Sequence, residues 1–129
     1  MNLKLAVDKL IYLSHWITPK MEIRRYSTRF FIASITNDQK AIHDGHEAVD
    51  SLWVKIDQAL EDYNQGNFPI IMPTIKNLEL VSGYESTLSL INDKKMIEPK
   101  DIPPIEPKFF IEDGKLVGLL PGDNGYEDH

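Results

Sequence analysis

Two apolar runs near the start of the chain have the composition of β-strands. Residues 9–17 are mostly apolar, aromatic or β-branched, and the run stops before Pro19, which has no N–H group to continue a ladder. Residues 28–36 are almost continuously apolar, which predicts a strand covered on both faces. Residues 48–54 nearly alternate apolar and polar side chains, and we predict a third strand there.

The apolar spacing then changes to that of amphipathic helices. Apolar residues recur at the i, i+3, i+4, i+7 spacing from Ile56 to Tyr63, and Gly66 can supply a left-handed C-cap. Pro73 and Thr74 open a second predicted helix, with Thr74 as its N-cap. A helical pair is therefore expected between residues 56 and 81.

A third helix and a hairpin complete the predicted elements. Ser82-Gly83-Tyr84-Glu85 fits a capping box, so a helix is expected from about residue 83 to residue 93. The prolines between residues 99 and 107 predict an extended segment with little regular structure. Asp113-Gly114 lies between two short apolar runs and is a strong hairpin signal.

These elements together predict an α+β fold with a mixed sheet, flanking helices and a C-terminal hairpin. No internal repeat or domain linker is evident, so residues 1–120 are expected to form a single domain. Residues 121–129 are polar and acidic, and we expect them to form a loose tail.

Composition narrows the range of functions. The net charge of −6 disfavours non-specific binding to nucleic acid or to an anionic membrane. The chain contains no cysteine, which excludes disulfides, thiolate metal sites and a cysteine nucleophile. No apolar run approaches the roughly 18 residues of a membrane span, and residues 1–13 do not have the pattern of a secretory signal. We therefore expect a cytoplasmic protein with no nucleic-acid or membrane partner.

Several short stretches, taken in order, resemble one family of enzymes. They are Trp16-Ile17-Thr18-Pro19, the run RRYSTRFFIA from Arg24 to Ala33, Glu47 and Trp53 within HEAVDSLWV, Gln58-Ala59-Leu60, Pro73-Thr74 with Leu78, and Leu120-Pro121-Gly122-Asp123 with Tyr126. The chain from about Leu10 onward resembles the C-terminal part of the coenzyme A diphosphatase-like members of the Nudix hydrolase superfamily. This resemblance implies a partial Nudix-like fold.

The motif that gives this family its chemistry is missing from the sequence. Nudix enzymes hydrolyse diphosphate bonds with a glutamate-rich box that contains R-E-x-x-E-E and holds divalent ions, usually magnesium. In the family the box precedes the W-x-T-P strand, whereas here the first glutamate is Glu22 and R-E-x-x-E-E occurs nowhere. We therefore expect this chain to bind no cofactor and to be inactive alone, although Mg or Mn is expected for relatives that contain the box.

Three arginines are candidate substrate-binding residues. Arg24, Arg25 and Arg29 flank the start of the second predicted strand, and guanidinium groups suit the oxygens of a phosphate. The resemblance implies a cradle for the phosphates of a coenzyme A-like substrate. The structural alternative is that these arginines pair with some of the acidic residues of the chain or are simply solvated.

Glu47 is the one candidate catalytic residue. In some Nudix enzymes a loop carboxylate outside the box binds metal or acts as general base, and Glu47 is the residue best placed for that role. The alternative is an ordinary exposed glutamate. His43, Asp44 and His46 precede it, but two histidines three residues apart in a loop are weak evidence for a metal site, so no metal ligand is predicted.

Four aromatic residues of the predicted strands are assigned to the core. Trp16, Phe30, Phe31 and Trp53 could stack on an adenine ring, but aromatic side chains in strands more often fill a core.

Two functional hypotheses follow from this sequence. The first is that the chain is the C-terminal part of a coenzyme A or nucleoside diphosphate hydrolase of the Nudix family, with a partner chain covering the missing half. The second is a non-enzymatic binding or assembly module on the Nudix scaffold, which covers its exposed sheet edge and apolar surface by forming a homodimer. A phosphate-containing small molecule is the expected ligand.

Overall fold

The computed structural model describes residues 4–129 and has the predicted α+β class, with helices, a mixed sheet and a hairpin. Its contacts divide the chain into two compact units. The first unit contains the residues up to Ile32 together with Asn92–His129, and the second contains Ala33–Ile91. No helix within the described residues has the length and apolar character needed to cross a membrane.

A three-stranded mixed sheet organises the first unit. Strand β1 (Ile11–Ile17) pairs antiparallel with β2 (Ser27–Ile32) on one side and parallel with β3 (Pro104–Ile105) on the other. β1 corresponds to the first predicted strand, and β2 ends at Ile32, four residues before the predicted end. The prediction for β2 was also wrong about its burial, because most of its residues are exposed.

A β-bulge in β1 decides which side chains share a face of this sheet. Tyr12 lies opposite Phe31 and Ser14 lies opposite Phe30, so Leu13 is the extra residue on β1. One extra residue reverses the alternation of side chains that follows it. Tyr12 and His15, which regular alternation would place on opposite faces, therefore lie on the same face.

The other face of the sheet carries the buried residues of β1. Trp16 is 4% exposed and Ser14 is 2% exposed. Trp16 lies opposite Thr28 of β2 and beside Ile105 of β3, so it belongs to both strand pairs of the sheet. The Nε1 atom of Trp16 is buried and donates no hydrogen bond to any of the described residues. The assignment of Trp16 to the core is confirmed.

The predicted hairpin is confirmed. Strand β4 (Lys108–Glu112) pairs antiparallel with β5 (Lys115–Leu119) across the Asp113-Gly114 turn. Both turn residues have positive φ, 50° and 76°, which is the conformation that a two-residue type I′ turn requires. Asp and Gly are residue types that adopt this conformation at low cost, which is why the sequence signal is reliable.

Short 3₁₀ turns complete the first unit, at Val7–Lys9, Pro99–Asp101 and Tyr126–Asp128. The last of these lies in the segment that we predicted to be a loose acidic tail. In the structure, the Tyr126 hydroxyl donates to the carbonyl oxygen of Glu106 at 2.7 Å, and the His129 ring stacks on Phe110.

The second unit is mainly helical. Helix α1 (Ile56–Asn64) contacts α2 (Met72–Val81), and α3 (Thr87–Lys94) begins in this unit and ends in the first. Gly66 has φ 76°, in agreement with the expected left-handed residue after α1. The buried apolar side chains of the second unit come from α1 and α2 and are Ala59, Ile75 and Val81.

Two of the predicted helix starts were wrong. α2 begins at Met72, with Ile71 as N-cap and Pro73 in the first turn, where its missing N–H costs nothing. α3 begins at Thr87, because a different pair of residues forms its capping box: the Ser86 backbone N donates to Ser89 Oγ at 3.2 Å, and the Ser89 backbone N donates to Ser86 Oγ at 3.1 Å.

The third predicted strand does not form. Residues 48–54 have no regular structure, and Val49, Leu52 and Trp53 are 74%, 62% and 74% exposed. An alternating pattern makes a strand only where a neighbouring strand supplies hydrogen bonds. The assignment of Trp53 to the core was therefore wrong, and Phe31, which is 49% exposed, was also misassigned.

The two tryptophans provide a matched test of the core. Trp16→Ala removes the buried ring that joins all three strands, and should lower the free energy of unfolding by about 3–5 kcal/mol. Trp53→Ala removes an exposed ring and should change it by about 0.5 kcal/mol or less. Urea titrations followed by far-UV circular dichroism measure both.

Trp16→Phe serves as the milder variant if Trp16→Ala does not fold. It keeps most of the buried ring and deletes an N–H group that has no partner among residues 4–129, so its cost should be clearly smaller than that of Trp16→Ala. Equal effects of alanine at the two tryptophan positions would contradict the assignment of Trp16 as the centre of the sheet.

Candidate functional site

A hydrogen-bonded turn joins β1 to β2 and carries two of the candidate arginines. The Thr18 backbone N donates to the Tyr26 carbonyl oxygen at 3.0 Å, and Thr18 Oγ1 accepts from the Tyr26 backbone N at 2.9 Å. These contacts close residues 19–25 into a loop that contains Arg24 and Arg25. Thr18, which the sequence analysis used as part of a family motif, thus has a structural role in this turn.

Arg25 ties this loop to the segment after β3. Its Nε donates to the Thr18 carbonyl oxygen at 3.0 Å, and its Nη2 lies 2.8 Å from Oε1 of Glu106. The Arg25 side chain is 42% exposed and the Glu106 side chain is 26% exposed. Because water screens the two charges, the ion pair contributes little to stability by charge alone. A guanidinium that already binds a carbonyl and a carboxylate has fewer donors left for a phosphate. Arg25 therefore fits the structural alternative for the arginines, in which they pair with acidic residues of the chain.

Arg24 and Arg29 differ from Arg25 in their contacts. Both are exposed, and neither side chain makes a hydrogen bond or an ion pair with any residue between 4 and 129. Arg24 lies in the loop and Arg29 lies within β2. No contact among the described residues brings the three arginines together as a preformed cradle, but two of the three guanidinium groups are open to a ligand.

Arg29 lies on the sheet face that the β1 bulge creates. It is directly opposite His15, and Nε2 of His15 shares a 2.7 Å hydrogen bond with Oγ of Ser27, the next residue of β2 on this face. The Tyr12 and Phe31 rings lie on the same face with centroids 5.5 Å apart at an interplanar angle of 34°. We refer to Tyr12, His15, Ser27, Arg29 and Phe31 as the Arg29 face.

The Arg29 face combines three kinds of chemistry on one exposed surface. Arg29 offers a charged, planar set of N–H donors, and the His15–Ser27 pair offers polar atoms beside it. The Tyr12–Phe31 pair offers aromatic surface, and Phe31 is 49% exposed. A ligand that carries both a phosphate and a ring system has complementary groups for all three.

Glu47 lies in the second unit, in a loop organised by Asp44. The carboxylate of Asp44 accepts backbone N–H groups from His46 at 3.1 Å, Glu47 at 3.3 Å and Ala48 at 2.9 Å. The Glu47 side chain is exposed and makes no hydrogen bond or ion pair within the described part of the chain. Glu47 thus contributes a backbone N–H to this loop, and its carboxylate is solvated.

The side chains around Glu47 do not form a metal site. Nδ1 of His43 shares a 2.7 Å hydrogen bond with Oγ of Ser51, and the Asp44 oxygens face backbone N–H groups. Residues 4–129 contain no group of three or more His, Asp or Glu side chains arranged to hold a metal ion.

Sequence reasoning missed most of the Arg29 face. It selected Arg29 but not Tyr12, His15 or Ser27, and it assigned Phe31 to the core. The reason is the bulge at Leu13, which carries no sequence signal and changes the side on which His15 lies.

The loop around Glu47 should depend on pH through Asp44. The backbone N–H groups of Ala48, His46 and Glu47, in that order of effect, hold the pKa of the Asp44 carboxyl below its ordinary value. Because the folded pKa is lowered, the loop contacts are stabilising above the ordinary pKa of an aspartate and are lost as the pH falls through the folded value. An NMR titration should find Asp44 among the most acidic side chains.

Asp44→Asn tests the same contacts at neutral pH. It should lower the amide-exchange protection of residues 46–48. Glu47→Gln removes a charge that has no ion-pair partner in the described part of the chain, and should leave that protection unchanged. Equal protection in Asp44→Asn and the unmodified chain would contradict this account of the loop.

Comparison with known proteins gives no family assignment. The chain matches no family model, and no curated protein or solved structure matches it. The resemblance to Nudix hydrolases therefore depends on the motif residues of the sequence alone.

Proposed function

We propose that this chain is a Nudix-related protein that binds a phosphate-containing small molecule of the coenzyme A type and does not hydrolyse diphosphates by itself. The observation that carries the proposal is the guanidinium of Arg29, which has no partner among residues 4–129. It lies on an exposed sheet face, opposite His15 and close to the Tyr12–Phe31 ring pair. Phosphate and adenine are the ligand groups that this combination suits best.

The position of the motif residues supports the relationship. The W-x-T-P residues form the end of β1 and the start of its turn, and the R-R-Y-x-T-R-F-F residues run from that turn through β2. The two most specific parts of the resemblance are therefore neighbours in one antiparallel pair. A motif whose parts pack together has a structural reason to recur as a unit.

We propose binding without hydrolysis because the residues that would hold divalent ions in a Nudix enzyme are not found in this sequence. The sequence has no R-E-x-x-E-E, and residues 4–129 contain no group of three or more His, Asp or Glu side chains, Glu47 included, that could hold a metal ion. Nudix chemistry depends on divalent ions to neutralise the diphosphate and to orient the attacking water. Within this proposal Arg29 recognises phosphate, and the metal-dependent step requires a box that another segment or chain supplies.

Self-association is a second candidate function, favoured by the loop between β1 and β2. Met21, Ile23 and Tyr26 of this loop are 62%, 101% and 64% exposed, which concentrates apolar surface in six residues. A second copy of the chain is the simplest cover for such a surface. Light scattering distinguishes a dimer from a monomer. A mass of twice 14.8 kDa supports self-association, and a monomer at every concentration contradicts it.

The proposed function is tested by coenzyme A binding and turnover on the same sample. Isothermal titration should detect saturable binding of coenzyme A, and Arg29→Gln should weaken it about tenfold, or about 1.4 kcal/mol. Lys95→Gln is the matched control, because it removes an exposed charge from the same unit and Lys95 is not one of the residues of the Arg29 face. No hydrolysis of coenzyme A or ADP-ribose is expected with Mg or Mn.

Two results would contradict the proposal separately. Metal-dependent turnover by the purified chain would contradict the absence of hydrolysis and would direct attention to Glu47. Coenzyme A affinity that is unchanged in Arg29→Gln would contradict the assignment of the Arg29 face.

A further inference from the structure

A cavity with charged and aromatic walls lies within the first unit, apart from the residues of the Arg29 face. Its volume is about 330 Å³, at the lower end of the roughly 300–1,000 Å³ that small-molecule sites span. The loop after β1, strand β4 and the end of the chain line it. We call it the hairpin cavity, and the side chains that matter for its chemistry are Lys20, Glu106, Lys108, Phe109, Phe110 and His129.

Hydrogen bonds hold one wall of the hairpin cavity in place. The Tyr126 hydroxyl donates to the Glu106 carbonyl oxygen at 2.7 Å, and Nζ of Lys108 donates to the Tyr126 carbonyl oxygen at 2.7 Å. Burial, with smaller effects from Glu106 and Glu127, raises the pKa of the Tyr126 phenol, so the hydroxyl stays protonated as the donor. These bonds fix the direction of the Lys108 side chain before any ligand arrives.

The charge on the cavity wall is positive although the chain is acidic. Glu106 is the one carboxylate side chain in the lining, and Arg25 neutralises it at 2.8 Å. Lys20 and Lys108 have no carboxylate within ion-pairing distance among residues 4–129. The lining thus offers two ammonium groups to a ligand, and its one side-chain carboxylate is already paired.

Lys108 in particular has no anionic partner in the described part of the chain. It is half-buried, and its Nζ contacts a carbonyl oxygen and lies 3.9 Å from the centroid of the Tyr126 ring. Both contacts favour a cation, but neither carries a full negative charge. Because an ammonium group loses hydration on burial, an anionic ligand that enters the cavity gains a strong partner there.

The hairpin cavity is also lined by aromatic residues, which offer surface for stacking. The His129 imidazole stacks on Phe110 with centroids 3.7 Å apart and the planes inclined by 11°, so this face of Phe110 accepts a flat heteroaromatic ring. Phe109 lies against Gly118 on β5, where a side-chain carbon at Gly118 would come within 2.6 Å of the Phe109 ring. The absence of a side chain at Gly118 thus allows the Phe109 ring to lie across the hairpin.

We propose that the hairpin cavity binds a small anion that carries a planar ring. Lys108 and Lys20 contact the anionic group, and the ring stacks on Phe110 in the place that the His129 imidazole occupies. An aromatic carboxylate and a nucleoside monophosphate both carry an anionic group and a planar ring. Their relative affinities for the chain show which of the two classes the cavity prefers. The proposal depends on the cavity alone and does not require the Nudix relationship or the Arg29 face.

Isothermal titration of the full chain with three probes tests the site. The probes are 4-hydroxybenzoate, adenosine monophosphate and inorganic phosphate. At least one ring-bearing anion should bind with saturation, and inorganic phosphate should bind at least about tenfold more weakly because it lacks the ring. Whether the carboxylate or the nucleotide binds more tightly identifies the anionic group that the cavity takes.

Variants assign the binding to the cavity. Lys108→Gln should weaken the ring-bearing anion about tenfold, and Phe110→Leu should weaken it without affecting inorganic phosphate. Lys115→Gln is the matched control, since Lys115 is exposed on β5 and does not line the cavity. If Lys108→Gln does not fold, Lys20→Gln on the exposed rim should weaken binding by severalfold.

The proposal is overturned if neither ring-bearing anion binds at millimolar concentration. It is also overturned if binding is the same in Lys108→Gln and Lys20→Gln as in the unmodified chain. A coenzyme A result that depends on Arg29 leaves the cavity proposal unaffected, because the two sites share no residue.

Discussion

Strand β1 is hydrogen-bonded to β2 on one side and to β3 on the other. The bulge at Leu13 decides which face of the sheet each later side chain of β1 lies on. Ser14 and Trp16 are buried on one face as a consequence, while His15 joins Tyr12 on the other. A register without the bulge would exchange these faces beyond residue 13, exposing Trp16 and burying His15. The buried core of the first unit and the Arg29 face are therefore two results of one backbone irregularity.

Polar contacts supplement a small apolar core in the first unit. Trp16 is its one large apolar side chain with less than a tenth of its surface exposed among residues 4–129. Arg25 links the loop after β1 to Glu106, and Tyr126 links the end of the chain to the same segment. Hydrogen bonds of this kind contribute about 1 kcal/mol each, but they fix geometry more narrowly than apolar contacts do. The Tyr126 contacts with Glu106 and Lys108 position the wall of the hairpin cavity that these two residues form.

Local signals in the sequence were sufficient for the elements that depend on local chemistry. Asp113-Gly114 specifies its turn through backbone preference, and the apolar spacing from Ile56 to Tyr63 specifies α1. The α+β class follows from such elements. Elements that need a distant partner were less predictable. Residues 48–54 alternate like a strand but pair with no strand among the described residues, and the backbone N of Ala48, the first of them, donates to Asp44 instead.

The candidate sites were harder to predict than the fold. Arg25 and Arg29 are the same residue type four positions apart, yet one pairs with Glu106, a residue 81 positions away in sequence, and the other has no partner among the described residues. Only the long-range fold distinguishes them. Lys108, Phe110 and His129 gave no sequence signal, because their relation depends on the end of the chain returning to β4.

The most direct test of the account is an NMR titration of the labelled chain with coenzyme A, following each backbone and aromatic resonance. The account predicts that the largest shifts occur at Tyr12, His15 and residues 27–31, which the bulge brings to one face, with little change in the loop around Glu47. Shifts confined to other parts of the chain, or no shifts at saturating concentration, would contradict the claim that this face recognises the ligand.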